Sequence, residues 1–284
     1  MPAELIEGKT MSEIKNRILI VLAVAVLATV SFAAVSRAQA AFAISDFEPV
    51  GYMVLLDGQV LADGEVFQSK AAGAFLMLAA DLPTPVLVKV RDAQVQTVDL
   101  MKVNRRADGT VELLPNATLG SSGAFQVTPD RTGIQFGVGG QRGELREKPP
   151  LLGSQNIAGL SQHSPEYRRS ADAYTPSDPI VDKLKGQSED VQVKVFFGSW
   201  CGACKQMVPR IMKVAEQLEG TKISFDFYGL PRGITGDPEA AKVEIHAVPT
   251  GVVYSGGKEI GRIEGSGWRV PELAINNLLI NPSS

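Results

Sequence analysis

Residues 191–206, VQVKVFFGSWCGACKQ, constrain the fold of this 284-residue chain more than any other stretch. Alternation at Val191, Val193 and Val195 passes into the apolar run Val195, Phe196, Phe197, the pattern of a strand buried on both faces. Directly after it, Val208, Ile211, Met212, Ala215 and Leu218 recur on one helical face, with Lys205, Gln206, Arg210, Lys213, Glu216 and Gln217 opposite. The spacing predicts a helix over 204–218 and puts Cys201 and Cys204 where a strand ends and a helix begins. The first helical turn offers unpaired N–H groups and the positive end of the macrodipole, and both stabilise an anion. Cys201 is therefore the expected nucleophile, and Cys204, one turn on, can reach it to close a small reducible disulfide. Gly202 and Ala203 between them leave Cys201 accessible.

Trp200, Cys201, Cys204, Lys205 and Pro209, the last five residues beyond the second cysteine, resemble the active-site pattern of the thioredoxin family. The resemblance implies Cys201 as nucleophile, Cys204 as resolving thiol, and a helix proline that removes one backbone donor. It also implies a second proline, in a cis bond, facing the cysteines; the candidate is Pro249 in His246-Ala247-Val248-Pro249-Thr250. Trp200, Val248, Pro249 and Thr250 then form the expected substrate-binding surface. The implied fold is a thioredoxin-like α/β domain over 178–284 with the order β-α-β-α-β-β-α. A short helix over 179–185 leads into it, and its strands fall at 191–197, 222–228, 252–254 and 259–263. Asp237 and Pro238 open a short helix, and a last helix from near Val270-Pro271 carries Leu273, Leu278 and Leu279 inward. His246 reads as a surface residue of the proline loop, and His163 as incidental.

The two cysteines are the only ones in the chain, which excludes a multi-bridge scaffold and any four-cysteine metal site. No metal or cofactor is expected beyond the redox-active Cys201–Cys204 disulfide, and a separate protein must recharge it. A net charge of −3 leaves no basic footprint for nucleic acid.

Lys15 and Arg17 precede an uncharged run that opens at Ile18 and closes at Ser36, followed by Arg37-Ala38-Gln39-Ala40 and Ala41-Phe42-Ala43. Residues 1–40 thus read as a secretory signal cleaved after Ala40 or as an uncleaved membrane anchor, starting at Met1 or Met11. In both cases the remainder is exported, to a bacterial periplasm or the outer face of the inner membrane. Residues 45–150 show short apolar or alternating runs at 50–56, 74–78, 86–90, 95–103, 110–114, 125–128 and 133–138. Asp57-Gly58, Asp63-Gly64 and Asp108-Gly109 supply hairpin-type turns, so a separate all-β domain, sandwich or barrel, is expected there as an adaptor or spacer. Gly137-x-Gly139-Gly140 follows a strand but no helical pattern follows it, which argues against a nucleotide loop. Residues 151–177, punctuated by Ser164-Pro165 and Thr175-Pro176, read as a linker, with Tyr167-Arg168-Arg169 as a solvated helical turn or a docking element.

These features predict thiol–disulfide exchange with exported protein thiols and disulfides as substrates and a membrane or periplasmic protein as electron partner. A reductase is favoured; an oxidase or isomerase with the same site, or a non-catalytic envelope scaffold, are the alternatives. One position departs from the family pattern. Many members carry a buried acid six residues before the first cysteine, where it helps deprotonate the resolving thiol; here it is Val195. The Cys204 proton must then go to water, to the leaving thiolate, or to a group such as Lys194 or Asp226. Restoring an acid with Val195→Asp is expected to shorten the lifetime of a mixed disulfide, and an unchanged lifetime would remove the idea.

Overall fold

The computed structural model describes residues 44–282. The signal or anchor run at 18–36, the Ala40 cleavage site and the alternative start at Met11 lie outside the described residues.

The N-terminal region is largely β. It comprises β1 (Ile44–Pro49), β2 (Tyr52–Leu56), β3 (Gln59–Val60), β4 (Glu65–Ser69), β5 (Ala74–Leu78), β6 (Val86–Lys89) and β7 (Gln94–Val98). It continues with β8 (Val103–Arg105), β9 (Val111–Leu113), β10 (Thr118–Ala124), β11 (Gln126–Val127), β12 (Gly133–Val138) and β13 (Gln141–Glu147). They form an eight-stranded sheet in the order β10-β7-β6-β5-β4-β1-β9-β8 and a five-stranded sheet β11-β12-β13-β2-β3. β1 changes partners along its length, pairing with β9 at Phe47 and with β4 at Glu48 and Pro49. Side-chain alternation lets the larger sheet serve two cores. Met77, Val86 and Val88 share one with Val54, Phe136 and Leu145 of the smaller sheet. Leu76, Leu78 and Leu87 share the other with Phe47, Phe67, Val111 and Leu113, so the central strands are buried on both faces.

The C-terminal region begins earlier than the expected 178. β14 (Gly153–Gln155), α1 (Ile157–His163) and α2 (Pro165–Asp172) occupy the segment read as a linker. They are followed by α3 (Asp178–Lys185), β15 (Val191–Phe197), α4 (Gly202–Gln217), β16 (Ile223–Gly229), α5 (Pro238–Lys242), β17 (Thr250–Ser255), β18 (Lys258–Ile263) and α6 (Pro271–Ile280). From β15 onward this is the expected α/β order. The sheet runs β14-β16-β15-β17-β18, with β15 and β16 parallel and the other pairs antiparallel.

The linker reading fails because its prolines start helices rather than interrupt coil. Pro165 stands in the first turn of α2, where a missing N–H costs nothing, and Asn156 caps α1 by accepting from Gly159 N at 2.7 Å. Leu160, Tyr167 and Ala171 are fully buried in the core that holds α4. Arg168 pairs with Glu216 of α4, and Arg169 with Glu48 of β1 at 3.0 Å. Tyr167-Arg168-Arg169 is thus a docking element and not a solvated turn. Close approach to the N-terminal region requires Gly51, since a Cβ there would lie 2.5 Å from Ser164 Oγ. In α6, Leu278 and Leu279 pack inward, but Leu273 is 39% exposed and Ile275 is fully buried instead. Leu160→Ala is expected to lower the unfolding free energy by about 2–5 kcal/mol, as for a core leucine. A urea melt showing almost no change would restore the linker reading.

Candidate active site

The cysteine pair is placed by the end of β15 and the start of α4. Cys201 is the N-cap of α4, in extended conformation, and its Sγ accepts from Cys204 N at 3.3 Å. A negative charge on this sulfur would meet that N–H and the positive helix terminus. Both cysteines are free thiols; Cys201 is half-buried and Cys204 fully buried. The Cys201 thiol points to the Val248 carbonyl, 3.6 Å away. The Val248–Pro249 peptide is cis, and this loop faces the cysteines as the family resemblance implies. Pro209 lies inside α4 and is buried.

Cys204 sits in an apolar core with Val193, Val195, Phe197 and Phe227, and accepts one backbone hydrogen bond from Gly198 N at 3.5 Å. Burial pushes this thiol well above its ordinary value, with the neighbouring Cys201 adding to the shift and the Gly198 N–H opposing it. Alternation along β15 and β16 carries Lys194 and Asp226 to the other face of the sheet. There Lys194 pairs with Glu239 at 3.1 Å and Asp226 at 3.8 Å, over the rings of Phe196 and Tyr228. Neither is a proton acceptor for Cys204.

Of the residues expected to bind substrate, Trp200, Val248 and Pro249 are half-buried, and the Val248 carbonyl meets Cys201. Trp200 is fixed by its Nε1, which donates to the Leu230 carbonyl at 2.9 Å, and by the Arg232 guanidinium 5.4 Å from its ring. Its ring lies so close to Gly198 that a Cβ there would come within 2.5 Å of it. Thr250 differs: it is buried, and its hydroxyl donates to the Ala247 carbonyl at 3.0 Å. Its side chain holds the loop rather than facing outward. Trp268 was not expected at the site. It is buried beneath the loop, and its Nε1 donates to the Pro249 carbonyl at 2.9 Å. His246 is exposed on the loop.

The N-terminal region reaches the flank of the site. Lys205 pairs with Glu166 at 3.0 Å and lies 5.6 Å from the Tyr52 ring, while Arg232 pairs with Glu147. Lys205 is therefore no solvated helix face. Leu151 N donates to Ser199 Oγ at 3.0 Å, and Lys148 to the His163 carbonyl at 2.7 Å.

Residues 180–274 match the family model described as Thioredoxin. Thioredoxin-2 of Saccharomyces cerevisiae is 36% identical over 85 residues, covering 30% of this chain and 77% of that protein. The chain belongs to the thioredoxin family. The chloroplastic Thioredoxin Y of Oryza sativa subsp. japonica is 31% identical over 130 residues, covering 43% of this chain and 71% of its own. The thioredoxin structure from Fasciola hepatica aligns at 25% identity with a TM-score of 0.26, covering 34% of this chain and 89% of that one. The family match contains Trp200, both cysteines, Pro249 and Trp268, and it begins after α1 and α2.

His163, far from incidental, is half-buried at this junction. Burial lowers its pKa to about 4, helped by Lys148 and Lys205 and opposed by Glu166. The unfolded chain binds a proton near the ordinary 6.5, so between these values the unfolded state holds more protons than the folded one. Stability should therefore fall as pH drops from about 6.5 towards about 4. His163→Gln is expected to flatten that slope in urea melts taken across the range; a slope unaltered by the substitution would assign it to other groups.

Proposed function

We propose that the protein is a thiol:disulfide oxidoreductase acting on protein thiols and disulfides through its Cys201-Gly202-Ala203-Cys204 site, working as a reductase. The observation that carries this reading is the asymmetry of the two sulfurs. One is half-buried at a helix N-terminus with an N–H donated to it, and the other is buried one turn behind.

In the forward direction the Cys201 thiolate attacks a substrate disulfide. The Cys201–substrate bond forms, and the first substrate sulfur leaves with the electron pair. Cys204 then gives up its proton and attacks Cys201 Sγ, which breaks the mixed disulfide and releases the second substrate sulfur. Two electrons have passed to the substrate, its two thiolates take up protons, and Cys201–Cys204 is oxidised. Trp200, Val248 and Pro249 form the rim that a substrate segment would contact.

The partners of Cys201 Sγ are the Cys204 N–H and the Val248 carbonyl, and the helix terminus favours a thiolate there. The direction of electron flow follows from the reduction potential, which Gly202 and Ala203 between the cysteines tune. The sequence of the first 40 residues supports export, so the proposed electron donor is a membrane or periplasmic protein, and anchoring through residues 18–36 would keep the site near it.

Cys204→Ser should leave substrates covalently held on Cys201, visible as thiol-reducible adducts on non-reducing gels. Cys201→Ser should form none. Adducts absent from Cys204→Ser, together with a protein that retains its cellular role when both cysteines are serine, would replace exchange with a scaffold function.

A further inference from the structure

Tyr167 is fully buried, and its hydroxyl has no hydrogen-bond partner. An unpaired buried hydroxyl works against folding, and a phenylalanine would fill the same space without that cost. The residue comes from α2, ahead of the family match, and its helix lies along α4. Its ring belongs to the apolar core that holds Cys204, Val195, Phe197 and Val208. The titratable groups that act on it are Cys204 and Cys201 from α4 and Glu166 beside it, with Cys204 the strongest. Glu166 is itself engaged by Lys205 and by the Gly51 N–H.

This core creates a need. The position of the family's buried acid is Val195, paired across the sheet with Phe227, and Lys194 and Asp226 lie on the other face. During resolution the Cys204 sulfur must carry negative charge in that apolar floor, where no side-chain hydrogen-bond donor among the described residues meets it and the Gly198 N–H lies 3.5 Å away. Resting on the exchange reading above, we propose that the Tyr167 hydroxyl is the buried donor that meets the Cys204 thiolate as it forms.

Burial and the nearby sulfurs raise the tyrosine far above its ordinary value, so it keeps its proton and acts as a donor, never as the base. The Cys204 proton leaves to water or to the departing substrate sulfur. Tyr167 O–H then points to Cys204 Sγ while that sulfur attacks Cys201 Sγ, and the hydroxyl is unpaired again once the disulfide closes. A non-ionising donor replaces the family's carboxylate. Tyr167 is a positioning residue, since it stabilises the attacking sulfur without exchanging atoms with it.

The test uses Tyr167→Phe in the full chain and an aromatic disulfide reagent whose released thiolate is coloured. The first equivalent released reports attack by Cys201, and the second reports resolution by Cys204. Tyr167→Phe should release the first at the wild-type rate and the second about tenfold more slowly, the scale of one lost hydrogen bond to a charged group. Its melting temperature should be unchanged or higher. In a Cys201→Ser background, ultraviolet titration should show the Cys204 thiolate forming at higher pH in Tyr167→Phe. A second equivalent released at the wild-type rate, or a Cys204 titration that does not move, would overturn the proposal. Wild-type protein that releases neither equivalent would instead overturn the exchange activity itself.

Discussion

Cys204 is buried in the same apolar core as Val193, Val195, Phe197 and Phe227, and this apolar floor governs what the site can do. Charge is costly there, and the backbone N–H of Gly198 offsets only part of the cost. At Cys201, by contrast, the same helix presents its N-terminus and an N–H to a half-buried sulfur. On the proposed exchange reading this difference orders the pair in time, the outer sulfur acting first and the inner one following as the resolving thiol. Two sulfurs three residues apart become chemically unlike through the direction of one helix and the composition of one strand.

The proline loop completes this geometry from the opposite side. Trp268 holds the Pro249 carbonyl from below and Thr250 ties back to Ala247, so the backbone beside Cys201 is fixed by buried donors. On the other flank the N-terminal region takes part. Tyr52 stands over Lys205, Glu147 pairs with the arginine that covers Trp200, and Lys148 meets the end of α1. The β-rich region is thus a structural neighbour of the site and not only a spacer.

Local pattern carried much of this architecture. The alternation of β15 with its fully buried end, the amphipathic α4 and the Asp237 cap are all written within a few residues. The Val195 departure was equally plain. Lys194 and Asp226 could have been dismissed from alternation alone, because they flank residues facing the cysteine. Other elements depended on distant partners. β10 and β13, rich in glycine, serine or charge, read as loop and are strands because neighbouring strands bond to them. Leu160, Ser164, Tyr167 and Ala171 lie at helical spacings of four, three and four, a signal masked by Pro165 between them. Nothing in the spacing says that their face meets α4. Trp268 was hidden in the same way, since only the folded chain brings it under a loop nineteen residues earlier.

β14 has an effect out of proportion to its three residues. It hydrogen-bonds to Phe227, Tyr228 and Gly229, and so covers a flank of the sheet that would otherwise show a bare row of amide and carbonyl groups. Gly229 accepts this cover because a side chain there would strike the Leu151 carbonyl. A polypeptide cut back to the span shared with its relatives would carry that flank open to strand pairing between copies. The joining segment is therefore also a guard against self-association.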